Sequence, residues 1–169
     1  MQHSIERESG LPPFRQFPFP HYTAYSEGWG LYAEVIASEL GCYSKPENYF
    51  ENLASQQFRA ARLVVDTGFH YKHWGRDQVV AFLHEHSTFT DFDINSETDR
   101  YAAVPAQALS YMVGQLKFME LRKRAQDQLG ERFDLRSFHD EMLNGGALPL
   151  DVLDMRTDSW IARVKAGAL

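Results

Sequence analysis

Residues 106–121 read AQALSYMVGQLKFMEL, a stretch that is apolar on two sides when it is wound into a helix. Two stripes at helical spacing carry this pattern, one of Leu109, Met112, Val113, Leu116 and Met119, the other of Gln107, Tyr111, Gly114 and Phe118. A helix that is apolar on both sides is normally buried on both sides, so this one is predicted to be central to the fold. Its polar groups must then be hydrogen-bonded or face a cleft.

Helix signals continue on both sides of this stretch. Proline, glycine and capping patterns predict four helices with definite bounds, over residues 23–40, 77–85, 134–143 and 149–165. A further helix is predicted from residue 46 to about 65–67, before Gly68. Another helical block is predicted from residue 95 or 96 to 129, with a break near Pro105. Residues 44–47 read as a capping box. Strand-like alternation is confined to a few residues near 88–92. The predicted fold class is all-α.

Residues 1–21 differ from the rest of the chain in composition. They contain four prolines and three phenylalanines, which favour an extended backbone and contact with an apolar surface. We therefore predict a Pro/Phe-rich extended strap over residues 1–21 and a single helical domain over residues 22–169.

Composition excludes several classes of function. The formal net charge of −6 argues against nucleic-acid binding, which needs a basic surface. The single cysteine, Cys42, rules out an internal disulfide and a cysteine zinc cluster. No apolar run reaches the roughly 20 residues of a membrane span. The first ten residues, MQHSIERESG, lack the basic start and apolar core of a signal peptide, and the compartment stays open.

The histidines offer two places where chemistry could occur. His84-Glu85-His86 looks like the zinc motif H-E-x-x-H, but position 88 is threonine, so the second histidine is not one helical turn away. These two histidines are predicted to lie at a solvated helix end. His70 follows Asp66 and Gly68 at the predicted end of an apolar helix, where a neutral ring could donate a hydrogen bond to an oxyanion.

Glu27 stands among small and aromatic residues in AYSEGWGLYAE (24–34). Gly28 and Gly30 each cost about 1 kcal/mol relative to alanine inside a helix, so a reason of packing or close approach is predicted for both. Glu27 itself is either a functional carboxylate or an acid placed favourably near a helix N-terminus. Arg62 is predicted either to pair with Asp66 or Glu27 or to bind a substrate carboxylate.

Five blocks of sequence together resemble a known family. They are EGWGLYAEVIASELG (27–41), FRAARLVVDTGFH (58–70), RYAAVPAQALSYMVG (100–114), LGERFDLRSFH (129–139) and GALPLDVL (146–153). In this order they resemble the C-terminal part of the bacterial domain-of-unknown-function family 885, over about residues 1–163. The resemblance implies the C-terminal helical part of a large, zincin-like (gluzincin) peptidase fold with a deep cleft. The family's histidine motif, resembling H-E-x-x-P-G-H-H, lies just upstream of a segment like residues 1–15, so this chain is expected to begin after it.

The resemblance also implies roles for individual residues. Glu27 resembles the third zinc ligand, and Tyr111 the tyrosine that stabilises the transition state, with His70 a second candidate. Arg62 is a candidate clamp for a substrate carboxylate, and Gln107, in the same block as Tyr111, is a second candidate for binding the substrate. The family usually has Pro-Gly-Gln-Ala where this chain has residues 105–108, so Ala106 is expected to restrict the backbone beside the site.

The expected function is therefore hydrolysis of peptides by metal-activated water, with zinc bound in the full-length protein and not tightly by this chain alone. One alternative is a non-catalytic helical binding or scaffold module, and another is a different hydrolase chemistry on the same fold. An exposed apolar face with self-association is also expected.

Overall fold

The computed structural model describes residues 10–13 and 22–168, and its regular structure between residues 22 and 168 is helical. Seven α-helices are present there: α1 Thr23–Glu39, α2 Pro46–His70, α3 Arg76–His86, α4 Asp91–Ala103, α5 Ser110–Leu129, α6 Leu135–Leu143 and α7 Leu150–Lys165. Short 3-10 turns at Gln107–Leu109 and Gly130–Arg132 flank α5. The described residues contain no strand, and the all-α prediction is confirmed. Most of the predicted strap over residues 1–21 lies outside the described residues.

Several helix ends follow the signals in the sequence. Gly41, just after α1, has a φ of 76°, which glycine adopts without strain. Asp134 caps α6, because its carboxylate accepts the backbone N–H of Ser137 at 2.7 Å. Pro46 is the first residue of α2, but the predicted capping box is wrong: the N-cap is Lys45, with no capping side chain.

Two helix boundaries were predicted wrongly. α2 does not stop before Gly68 but continues to His70. Gly68 is there for packing, because a Cβ at that position would lie 2.5 Å from the ring of Trp74. α4 begins at Asp91, four residues before the predicted start. The cap there is Thr90, whose hydroxyl accepts the backbone N–H of Asp93 at 3.2 Å.

The buried apolar side chains of the described residues form two clusters. The first joins α1, α5, α6 and α7, and its largest members are Tyr25, Tyr32, Phe118, Leu121, Phe138, Met142, Leu153 and Trp160. The second joins α2, α3, α4 and the turn before α5, and it is formed by Phe58, Ala61, Val65, Val79, Leu83, Ile94, Tyr101 and Ala108. Helix α5 packs along α1 and α7 and also contacts α2, so it links the two clusters.

Burial of α5 is one-sided, and here the prediction of burial on both sides is wrong. Gly114 and Phe118, from one predicted stripe, are buried beside α1. In the other stripe, Val113 and Leu116 are 43% and 57% exposed. The described part of the chain buries one side of the helix and covers the second stripe only in part: Met119 packs against the first cluster, whereas Val113 and Leu116 stay exposed.

The contact between α1 and α5 is made without side chains at its tightest point. A Cβ on Gly28 would lie 2.3 Å from the Cα of Gly114, and a Cβ on Gly114 would lie 1.8 Å from the carbonyl oxygen of Ala24. The predicted close approach is therefore confirmed at Gly28. It is wrong for Gly30, where a Cβ would have no neighbouring atom within 4 Å among the described residues.

Candidate functional site

A polar network lies where α2, α4 and the first turn of α5 meet. It contains four of the five residues that the sequence singled out: Arg62, His70, Gln107 and Tyr111. The fifth, Glu27, lies on α1 and has no hydrogen bond to the network. The structure thus brings together residues that are up to 49 positions apart, since the network spans residues 62 to 111.

Arg62 is the central cation of this network and is only 7% exposed. Its Nε donates to the Tyr101 hydroxyl at 3.0 Å, and its Nη2 donates to Glu97 at 2.7 Å. The guanidinium lies over the rings of Phe58 and Tyr111, 4.7 and 4.8 Å from their centroids. The predicted pairing with Asp66 or Glu27 is wrong, because Glu97 on α4 takes that place.

Glu97 is shared by two arginines. Besides Arg62, Arg100 donates to both of its carboxylate oxygens, at 3.0 and 2.8 Å, and the Tyr101 hydroxyl donates at 2.9 Å. Burial favours the neutral acid, but the hydrogen bonds from Arg100 and Tyr101 and the two positive charges outweigh it, and the pKa of Glu97 falls to about 2. Sequence reasoning missed Glu97, Arg100 and Tyr101, although their i, i+3, i+4 spacing places them on one helix face.

His70 is the last residue of α2, and its Nε2 lies 2.8 Å from the carbonyl oxygen of Tyr101. A carbonyl can only accept, so Nε2 carries the hydrogen in this contact. A neutral ring then offers only Nδ1, an acceptor, to anything else. To donate a hydrogen bond to an oxyanion, neutral His70 would first have to break its hydrogen bond to the carbonyl oxygen of Tyr101.

Asp66 holds the turn that precedes the Tyr111 helix. It is 2% exposed, and both of its carboxylate oxygens accept the backbone N–H of Ala106, at 3.1 and 3.2 Å. Burial raises the pKa of Asp66, and the Ala106 hydrogen bond opposes that rise. Ala106 has a φ of 67°, in the left-handed region that is unfavourable for alanine. The family that this sequence resembles usually has glycine at this position.

Gln107 and Tyr111 differ in whether their polar groups already form hydrogen bonds. The side-chain oxygen of Gln107 accepts from Arg100 at 2.7 Å. Tyr111 is half-buried with its ring against Arg62, but its hydroxyl makes no hydrogen bond with a described residue. The Tyr111 O–H is therefore free to donate to a ligand.

Glu27 lies on the helix that packs beside the Tyr111 helix. It directly precedes Gly28, and Gly28 contacts Gly114, one helical turn beyond Tyr111. Glu27 is partly buried, and among the described residues it has no hydrogen-bond or ion-pair partner. An unpaired, partly buried carboxylate of this kind suits a cation that other residues help to hold.

Among residues 10–13 and 22–168, no three His, Cys, Asp or Glu side chains lie close enough to hold a metal ion. His84 and His86, at the end of α3, have side chains that are 42% and 44% exposed. His139 lies within 2.9 Å of the Tyr32 hydroxyl, in the first apolar cluster. No helix in the described part of the chain is long and apolar enough to cross a membrane.

Comparison with known proteins finds a family and a related solved structure. The profile of a family described as "Bacterial protein of unknown function (DUF885)" matches residues 1–156. The crystal structure of a "putative lipoprotein" from Colwellia psychrerythraea is 41% identical, with a TM-score of 0.92, over 96% of this chain and 28% of that chain. This chain thus spans little more than a quarter of that protein's length. A comparison with curated proteins found no match.

Proposed function

Because this chain belongs to the bacterial family of unknown function DUF885, we propose that it is one part of a longer zinc-dependent hydrolase that cleaves peptides with metal-activated water. The observation that carries the proposal is the relation between Glu27 and Tyr111. Both have polar groups with no partner among the described residues, and they lie on two helices whose backbones touch at Gly28 and Gly114.

Glu27 can supply one ligand of such a metal site. Catalytic zinc takes three protein ligands and keeps one position open, so a single carboxylate does not suffice. In this proposal the other two ligands are a histidine pair elsewhere in the longer protein, as the resemblance to gluzincin-like peptidases implies. The fold is then the C-terminal helical part of a zincin-like architecture.

A zinc ion held at such a site would act as a Lewis acid, polarising the scissile carbonyl and lowering the pKa of a bound water. The described residues would supply the groups that surround the reacting carbonyl. The Tyr111 hydroxyl donates to the developing oxyanion, and the Arg62 guanidinium over the ring holds it in position. Tyr111 is preferred to His70 for this role because the Nε2 hydrogen of His70 is already donated to Tyr101.

The test is Glu27→Gln in the full-length protein. We expect zinc content and peptide hydrolysis both to fall, by at least about 100-fold for activity, while the circular dichroism spectrum is unchanged. Glu34→Gln is the matched control, because Glu34 lies on the same helix and accepts hydrogen bonds from Asn52 and Gln56 at 3.4 Å. Undiminished turnover in Glu27→Gln would remove this residue from the site.

The isolated chain gives a second readout. With Glu27 as its single ligand, the chain should not retain zinc stoichiometrically at micromolar concentration after dialysis. One tightly held zinc per chain would contradict the proposed ligand set and direct attention to His70, His73 and His139.

A non-catalytic helical binding or scaffold module is the second candidate. It is favoured by the extent to which Arg62, His70 and Gln107 are already bonded within the chain. Full-length protein that carries zinc yet cleaves no member of a peptide library would support it.

A further inference from the structure

A cleft opens between α2 and α4, next to the segment that joins α3 to α4. Its volume is about 210 Å³. Its polar lining comes from Arg59 and Arg62 on α2 and from Asp93, Ser96 and Glu97 on α4. The cleft shares Arg62 with the polar network described above.

Both arginines have donors left over. Arg62 uses Nε and Nη2 inside the protein, whereas its Nη1 has no partner among the described residues and is not sealed from solvent. Arg59 bonds Ser55 through Nη1, its Nε is buried without a partner, and it has no carboxylate partner in the described part of the chain. Two guanidinium groups thus line one cleft with unused N–H groups.

The acids of the cleft neutralise these cations only in part: Glu97 pairs with Arg62, whereas Arg59 has no ion-pair partner among the described residues. Glu97 is already shared between Arg62 and Arg100. Asp93 accepts the Thr90 hydroxyl at 2.6 Å and forms no ion pair with a described residue. A ligand carboxylate would meet the unused donors of a nearly immobile Arg62, whose side chain is held by two rings and two hydrogen bonds.

The remaining wall is apolar. Phe58 and Phe89 stack with their ring centroids 4.0 Å apart and their planes 26° apart, and both line the cleft. An apolar side chain beside the carboxylate would bury its surface against these rings. A ligand with both features is an N-acylated amino acid with an apolar side chain, the chemistry found at the C-terminal end of a peptide.

We infer that this cleft binds the free α-carboxylate and the adjoining apolar side chain of a peptide's C-terminal residue, between Arg59 and Arg62. That the ligand is a peptide rests on the proposed function, whereas the binding of an apolar carboxylate rests on the cleft alone. The longer enzyme would then prefer substrates with a free C-terminus to substrates whose C-terminus is amidated.

The experiment compares N-acetyl-L-phenylalanine with N-acetyl-L-phenylalanine amide on the isolated chain, by calorimetry or by chemical-shift titration. We expect saturable binding of the acid at least about tenfold tighter than that of the amide, since only the acid can form a charge-assisted pair. Equal affinities, or no binding of the acid at millimolar concentration, would overturn the inference. No zinc or turnover is needed, so this outcome is independent of the Glu27 test.

Variants locate the site. Arg59→Gln should weaken binding of the acid about tenfold and leave the amide unchanged, and Arg59 is half-buried with only a local partner, so the fold should survive. Arg76→Gln is the control, because Arg76 pairs with Asp99 at the surface and does not line this cleft. Unchanged binding of the acid in Arg59→Gln would refute the assignment. Glu27→Gln should bind the acid normally, which separates this cleft from the metal ligand.

Discussion

At the scale of single residues, Ala106 shows how the chain tolerates an unfavourable backbone. Its φ of 67° belongs to a region that costs a residue with a Cβ about 1–2 kcal/mol. The buried carboxylate of Asp66 accepts the Ala106 N–H and fixes the turn in this conformation. This turn sets the start of the helix that carries Tyr111.

Ala106→Gly should therefore stabilise the protein. We expect a gain of roughly 0.5–1 kcal/mol in the free energy of unfolding, because relief of the strain exceeds the entropy that glycine adds to the unfolded chain. Urea denaturation followed by circular dichroism measures it. Ala102→Gly, at an exposed position in the last turn of α4, is the control and should lose up to about 0.5 kcal/mol. A loss of stability in Ala106→Gly would show that the positive φ is not a source of strain.

At the scale of helices, the two glycines of α1 have different reasons to be there. Gly28 touches the backbone of α5, so any side chain at that position would force the two helices apart. Gly30 faces open space in the described part of the chain. The sequence could show that both glycines weaken a helix, but not which of them faces a partner, since that depends on how α1 is rotated against α5.

Alanine at each position should separate these roles. Gly28→Ala should lower the free energy of unfolding by about 3 kcal/mol or more, because the added methyl group meets backbone that cannot turn aside. Gly30→Ala should raise it, by up to about 1 kcal/mol, because helix propensity improves and nothing is displaced. Urea titrations of both variants in parallel provide the measurement. Similar effects from the two substitutions would contradict the close packing of α1 on α5.

At the scale of the whole molecule, the described surface carries several large apolar side chains. On α2, Tyr49, Phe50 and Leu53 are about half exposed and lie within little more than one helical turn. Phe50 also borders an apolar groove of about 310 Å³ with Phe89. Clustered apolar side chains of this kind favour contacts with another surface.

We therefore expect the isolated chain to self-associate as its concentration rises. The double substitution Phe50→Ser and Leu53→Ser should reduce this association, with little effect on stability because both side chains are largely in solvent. Sedimentation velocity over a concentration series measures it. Val152→Ser and Met155→Ser on α7 serve as the control pair. A wild-type chain that stays monomeric at high concentration would contradict the expectation.

The sequence predicted the helical class and most helix ends well, because caps, prolines and apolar periodicity act locally. It placed Arg62, His70, Gln107 and Tyr111 among the candidates but missed the residues that bond to them, which are Glu97, Arg100 and Tyr101. The pairing of Arg62 with Glu97, 35 positions away, depends on how α2 and α4 pack and leaves no local signal. The exposure of Val113 and Leu116 on α5 likewise leaves no local signal, because it depends on which helices lie beside α5.

The pair of arginines around Glu97 has a consequence for how the protein responds to acid and base. With its pKa near 2, Glu97 keeps its charge down to strongly acidic solution, and burial raises the pKa of its partner Tyr101 above the usual phenol range. This group of side chains therefore presents the same charges throughout the neutral range. In the proposed hydrolase, a change of rate with pH near neutrality would therefore not originate in Glu97 or Tyr101.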